Sequence, residues 1–302
     1  RRRGARGSIG LSCAASVVMR AATPPRWLVA GTSILAVLVA IASVAGIWEP
    51  TIYAKETTSW GAQGFGQDVV DLLLVVPVLL GCAWGVARGS RGALLILAGV
   101  LVYVVYSFTL YAFAMHFNAL FLIYCATLGV AFYSLVDVGI YLRMQDGKQW
   151  FALTQRRTRI VGWFLVAIAT LFYALWLSTV IPALIDGQPP AALLEAGLIT
   201  NPVHVLDLSI VLPALAISGV FVLARRSAGY LLAPTMLAFN TAMTLAIVGL
   251  HFSMWGHGVA IAPAVVVAML LVAVASVWML VGWLRRIRPV TSIGWLDQPH
   301  RL

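Results

Sequence analysis

The chain has 302 residues, 62% of them hydrophobic and only 10% charged, with a formal net charge of +10. A water-soluble domain carries about 25% charged residues, so this composition excludes a soluble globular protein and makes the lipid bilayer the first partner. The positive balance does not indicate nucleic acid, because the basic residues are scattered through short loops instead of gathered on one soluble face.

The chain opens on Arg1, Arg2, Arg3 and Arg6, and its first methionine is Met19. The stretch between is too polar for a signal peptide. Residues 1–18 therefore read as an upstream extension within a basic segment 1–26. A spanning helix needs roughly 20 mostly apolar residues. Eight runs meet this, at 27–47, 69–87, 93–113, 117–138, 160–180, 205–224, 228–250 and 259–284. They are continuous and do not alternate, which predicts helices and not barrel strands. The expected fold class is all-α, a polytopic membrane protein of about eight transmembrane helices. The second and sixth runs are the weakest, each with an aspartate near its start.

Basic residues favour the cytoplasmic side of a membrane. Arg20 and Arg26 precede the first run, Arg88 and Arg91 follow the second, and Arg143 to Arg159 supply five more after the fourth. Arg225 and Arg226 follow the sixth, and Arg285, Arg286 and Arg288 the eighth. With eight helices all of these share one side, and only Lys55 lies on the other. The expectation is a plasma (inner) membrane protein with both termini cytoplasmic. Cys13, Cys82 and Cys125 are isolated, and the latter two sit in apolar runs as small hydrophobes.

Repeats come next. Asp71 lies six residues before Pro77 in the second run, and Asp207 six residues before Pro213 in the sixth. The third run ends Thr109-Leu110 and then His116-Phe117; the seventh ends Thr244-Leu245 and then His251-Phe252, at the same spacing. The turns around Arg88 and Arg225 also resemble each other. These anchors predict two related four-helix halves, 27–142 and 160–284, joined by a basic linker 143–159 and followed by a basic tail 285–302. An even number of helices per half inserts both in parallel orientation about an axis along the membrane normal.

The polar residues concentrate at the end opposite the arginines. From Asp71 to Arg88 is roughly 26 Å of helix, and from Asp207 to Arg225 roughly 27 Å, nearly the ~30 Å of a hydrocarbon core. Both aspartates are thus expected at the outer boundary, where either of two roles is open. They cap or flank helix N-termini, or the duplication brings Asp71, Asp207, His116 and His251 together as ligands for a divalent metal or as proton carriers. His204 shares a helix face with Asp207, and Asp68 lies just before Asp71. Pro77 and Pro213 are hinge candidates. Tyr103, Tyr106, Tyr111, Asn118, Tyr124, Asn240 and Thr244 either line a polar cavity or hydrogen-bond helices together at about 1 kcal/mol or less each. Phosphate-binding, dinucleotide, zinc-protease and serine-hydrolase motifs are absent.

Gly66-Gln67-Asp68, placed in the first outer loop, Asp71 to Pro77, Tyr111-Ala112-Phe113 with Phe117 to Tyr124, Val205-Leu206-Asp207 and Gly229 to Pro234 together resemble a family of prokaryotic multi-pass membrane proteins with no established activity. The resemblance implies a membrane fold and no catalytic role. The function expected is binding or transport of a small solute or ion, proton-linked, through an outward-facing polar site. The alternatives are a membrane-embedded metal-dependent enzyme or redox protein, and a structural or accessory subunit. A homo-oligomer or a membrane partner is compatible with each.

Overall fold

The computed structural model describes residues 26–288; the expected upstream extension 1–18 and most of the expected basic tail 285–302 lie outside the described residues. The fold is all-α. Among the described residues, eight helices are long and apolar enough to cross a membrane: α1 (Trp27–Trp48), α2 (Thr58–Ala87), α3 (Arg91–Ala114), α4 (Phe121–Arg143), α5 (Gln155–Asp186), α6 (Pro202–Leu223), α7 (Ser227–Gly256) and α8 (Pro263–Leu284). The chain is a polytopic membrane protein.

In lipid, apolar surface gives helices no reason to associate, so close backbone approach through small residues must do so. α3 and α7 form the centre: 67% and 72% of their most apolar windows are buried, against at most 39% in any other helix. Their contact is set by Gly99, where a Cβ would lie 2.3 Å from the Thr235 carbonyl oxygen and 2.6 Å from Ala238 Cβ. Around this pair α1, α2 and α4 pack on one side and α5, α6 and α8 on the other.

Cross-contacts tie the helix ends into two faces. On the basic face the Arg91 guanidinium lies over Trp150, Ser227 donates to Asp146, and the Arg288 N–H donates to the Trp150 carbonyl (2.8 Å). On the opposite face Trp60 Nε1 donates to the Ala114 carbonyl (2.9 Å), and Lys55 reaches the Phe117 carbonyl (3.3 Å).

The eight spans match the sequence expectation, but their ends differ. The largest correction is α2, which begins at Thr58 and not near residue 69. Gly66-Gln67-Asp68 is therefore helical and not an outer loop, and Asp71 is not at a helix N-terminus. Gly61, Gly64 and Gly66 dilute the hydropathy of this stretch, yet tertiary packing keeps it helical. A Cβ at Gly66 would lie 2.8 Å from both the Gly249 carbonyl oxygen and Leu250 Cα of α7. Ser253 donates to the Ala62 carbonyl across the same contact (2.6 Å). Thr57 caps the start by accepting from the Trp60 N–H (3.3 Å). α5 is also longer than expected and includes Pro182, whereas α4 and α8 start later, at Phe121 and Pro263.

Candidate functional site

α2 and α6 share a local distortion. Each contains a five-residue π-helical turn, Asp71–Val75 in α2 and Asp207–Val211 in α6. The Val76 N–H donates to the Asp71 carbonyl and the Leu212 N–H to the Asp207 carbonyl, five residues back in both cases. The cause is the proline that follows. Pro77 and Pro213 have no N–H, and their rings crowd the carbonyl four residues earlier; widening the turn relieves that crowding. Both bulges begin at the aspartate.

The surroundings of the two aspartates differ. Asp68 and Asp71 are three residues apart, on one face of α2, and each is about 1% exposed. Asp68 accepts from the Tyr53 hydroxyl and from the Tyr111 hydroxyl (2.8 Å). Asp71 Oδ1 accepts from the Tyr103 hydroxyl (2.7 Å) and from Gln67 Nε2 (3.1 Å). Gln67 also reaches Tyr103 and Ser107. Asp71 Oδ2 is buried and has no hydrogen-bond partner among the described residues. Tyr111 is held by stacking on Tyr124, with ring centroids 5.0 Å apart and planes at 22°. Tyr53 lies in the segment between α1 and α2; burial, and then the neighbouring Asp68 charge, push its hydroxyl well above the ordinary tyrosine range. It remains a donor to Asp68 throughout the physiological range.

Beside this cluster is a small cavity of about 60 Å³, bordered by Gln67, Ser107 and Tyr111, with Val203 of α6 and Leu250 of α7 closing it. A volume of that size holds a few water molecules or a small ion. Among the described residues, no lysine, arginine or histidine pairs with Asp68 or Asp71.

Asp207 is only partly buried. Its Oδ2 accepts from Trp176 Nε1 of α5 (2.8 Å), and Tyr106 of α3 faces it. His204 lies against the Trp176 ring, centroids 4.5 Å apart. α3 thus stands between the two bulged helices and directs Tyr103 to Asp71 and Tyr106 to Asp207.

The histidines expected beside the aspartates have other partners. His116 lies between α3 and α4, where its Nδ1 is 3.0 Å from Glu56 and its backbone N–H donates to the same carboxylate (2.7 Å). His251 Nδ1 lies 2.8 Å from the Ile247 carbonyl of its own helix. Among the described residues, no three His, Cys, Asp or Glu side chains come together as a metal-holding group. Of the four residues expected to converge, Asp71, Asp207, His116 and His251, no two are hydrogen-bonded to each other among the described residues; Asp68 lies one turn from Asp71 on α2, and His204 and Asp207 each meet Trp176. Asn240 donates to Ser276 (2.8 Å), bonding α7 to α8.

Sequence reasoning missed Tyr53, Gln67 and Trp176 as partners. Gln67 was within reach, since a glutamine four residues before an aspartate shares its helix face. Tyr53 and Trp176 become neighbours only through the packing of α1, α2, α5 and α6.

No protein-family model, curated protein or solved structure matches the chain. The family resemblance noted in the sequence is thus not identified, and what stands is a multi-pass membrane protein with eight candidate spans.

Proposed function

We propose that the protein binds and transports a small solute or ion in a proton-linked manner, with Asp68 and Asp71 as the proton- or cation-binding pair. One observation carries this reading: two carboxyl groups are buried one turn apart and, among the described residues, only neutral donors surround them and one oxygen of Asp71 has no partner. A buried carboxylate without a cationic neighbour is very costly, and a proton or a bound cation relieves that cost. An ionisable group inside a membrane bundle marks ion or proton pathways more often than it serves structure alone. A small cavity, mostly apolar in lining but reached by Gln67, Ser107 and Tyr111, adjoins the pair on the face opposite the arginines. Positive-inside insertion puts that face outside the cell.

The matched π-turns support the two-halves reading, since each joins an aspartate to a proline at equivalent positions. They also supply the mobile element. A π-turn returns to α-helix by shifting one hydrogen-bond register, which rotates the residues beyond it. In this scheme Pro77 and Pro213 are hinges, and neutralising Asp71 biases the α2 turn.

The test uses vesicles that hold the purified protein and a trapped pH-sensitive dye, with the membrane potential clamped. An external acid step should give internal acidification in wild type that Asp71→Asn abolishes and Asp207→Asn largely keeps. Equal acidification by wild type and Asp71→Asn would contradict the proposal.

A further inference from the structure

The two sides of the α3–α7 centre are closed to different degrees. α1 packs on α4, but α5 and α8 stand apart. Between them lies an open apolar groove of about 1140 Å³, with Leu245 of α7 in its lining. Val274, Val277 and Trp278 of α8 line it while remaining well exposed, Trp278 at 67%. At the basic face the groove ends at four arginines, Arg156 and Arg157 from α5 and Arg285 and Arg286 just after α8. Arg157 reaches across to donate to the Gly282 carbonyl (2.8 Å). Among the described residues, no carboxylate pairs with any of the four.

We infer that this groove is a binding site for an anionic diacyl phospholipid. The phosphate sits among Arg156, Arg157, Arg285 and Arg286, and an acyl chain runs along the α8 wall past Val277 and Val274. Charge complementarity selects the occupant, because a basic pocket between helices at a membrane face suits an anionic headgroup. Dimensions agree. From Arg285 to Leu270 the wall is about 22 Å long, enough to cover the ~15 Å hydrocarbon depth of one leaflet. A second copy docked through the same face would bring like charges together, since a twofold contact repeats the patch on both partners.

Fluorescence quenching by brominated lipids reads the site through Trp278. Vesicles of zwitterionic phosphatidylcholine are doped with brominated phosphatidylglycerol or, for comparison, brominated phosphatidylcholine. The inference predicts stronger quenching by the anionic lipid at equal mole fraction, and a difference that disappears in Trp278→Phe. In Arg156→Gln/Arg285→Gln, two exposed positions, the preference should fall about fivefold per arginine. Raising the salt concentration on wild type should weaken it without any substitution. Equal quenching by the two lipids would overturn the inference, as would an undiminished preference in the double variant. So would cross-linking of two copies across Trp278 in place of lipid quenching.

Discussion

The α2 and α6 bulges begin from the same sequence pattern and end in different environments. At α2 the aspartate is sealed among Tyr103, Gln67 and a second carboxyl, Asp68. At α6 the aspartate keeps part of its surface and takes one indole donor, Trp176. The neighbouring helices account for this. α7 packs closely on the outer half of α2, whereas α3 makes a much slighter contact with the start of α6. In the register that aligns Thr109 with Thr244 and His116 with His251, Tyr103 and Tyr106 fall on Ala238 and Thr241. Only α3 therefore carries tyrosines at these two positions, and it serves both aspartates. The difference teaches that a shared backbone distortion does not by itself make a site. The side chains of the central helix decide which aspartate is the more buried and the better supplied with donors.

The comparison can be broken first at its packing. Gly66→Val places a side chain against the α7 backbone, where a Cβ already has no room. It should destabilise the protein by about 3 kcal/mol or more through overpacking, read as a lowered thermal midpoint in detergent. A valine tolerated without loss would mean that α2 and α7 are not in close contact. Next, Tyr111→Phe removes a donor from a buried carboxyl and should cost about 1–3 kcal/mol. Trp176→Phe, at the partly exposed Asp207, should cost about 1 kcal/mol or less in the same measurement. Equal costs would erase the proposed difference between the two environments.

The smallest effect lies at the basic face, away from both bulges. Asp146 caps the short helix Gly147–Trp150 and accepts from Ser227. The Ser227 hydroxyl, followed by the Lys148 N–H and Gln149, holds its carboxyl below the usual value against the opposing effect of slight burial. A depressed carboxyl contributes stability that is present above its ordinary value of 3.8 and is lost as pH falls through its lower folded value. Wild type should therefore lose slightly more stability than Asp146→Asn below about pH 4. The group is mostly exposed, so solvent screening keeps the difference to a few tenths of a kcal/mol. Parallel acid curves would show that the Ser227 contact is energetically silent.

How far the sequence carried each element follows from what each depends on. The eight spans were legible because lipid demands a continuous apolar run, and the arginine-bearing loops counted them a second time. The Asp-to-Pro spacing was legible as a motif, and proline chemistry made Pro77 and Pro213 points of distortion; that the distortion is a π-turn required coordinates. The start of α2 was not legible, because Gly61, Gly64 and Gly66 read as loop and become helix only against Tyr53 and α7. The histidines misled for a related reason. Recurrence at matched spacing says nothing of direction, and His116 turns to Glu56 while His251 bonds its own helix. Tyr53 had no local signal, being a loop residue that meets Asp68 through packing alone.

Infrared difference spectroscopy on the purified protein in lipid tests the central claim most directly, by following the carboxylic-acid C=O band as the pH is stepped. The account predicts a band in wild type that shifts in heavy water, disappears in Asp71→Asn and persists in Asp207→Asn. A wild-type spectrum with no carboxyl change, or one that Asp71→Asn leaves intact, would contradict the assignment of proton exchange to the buried pair on α2.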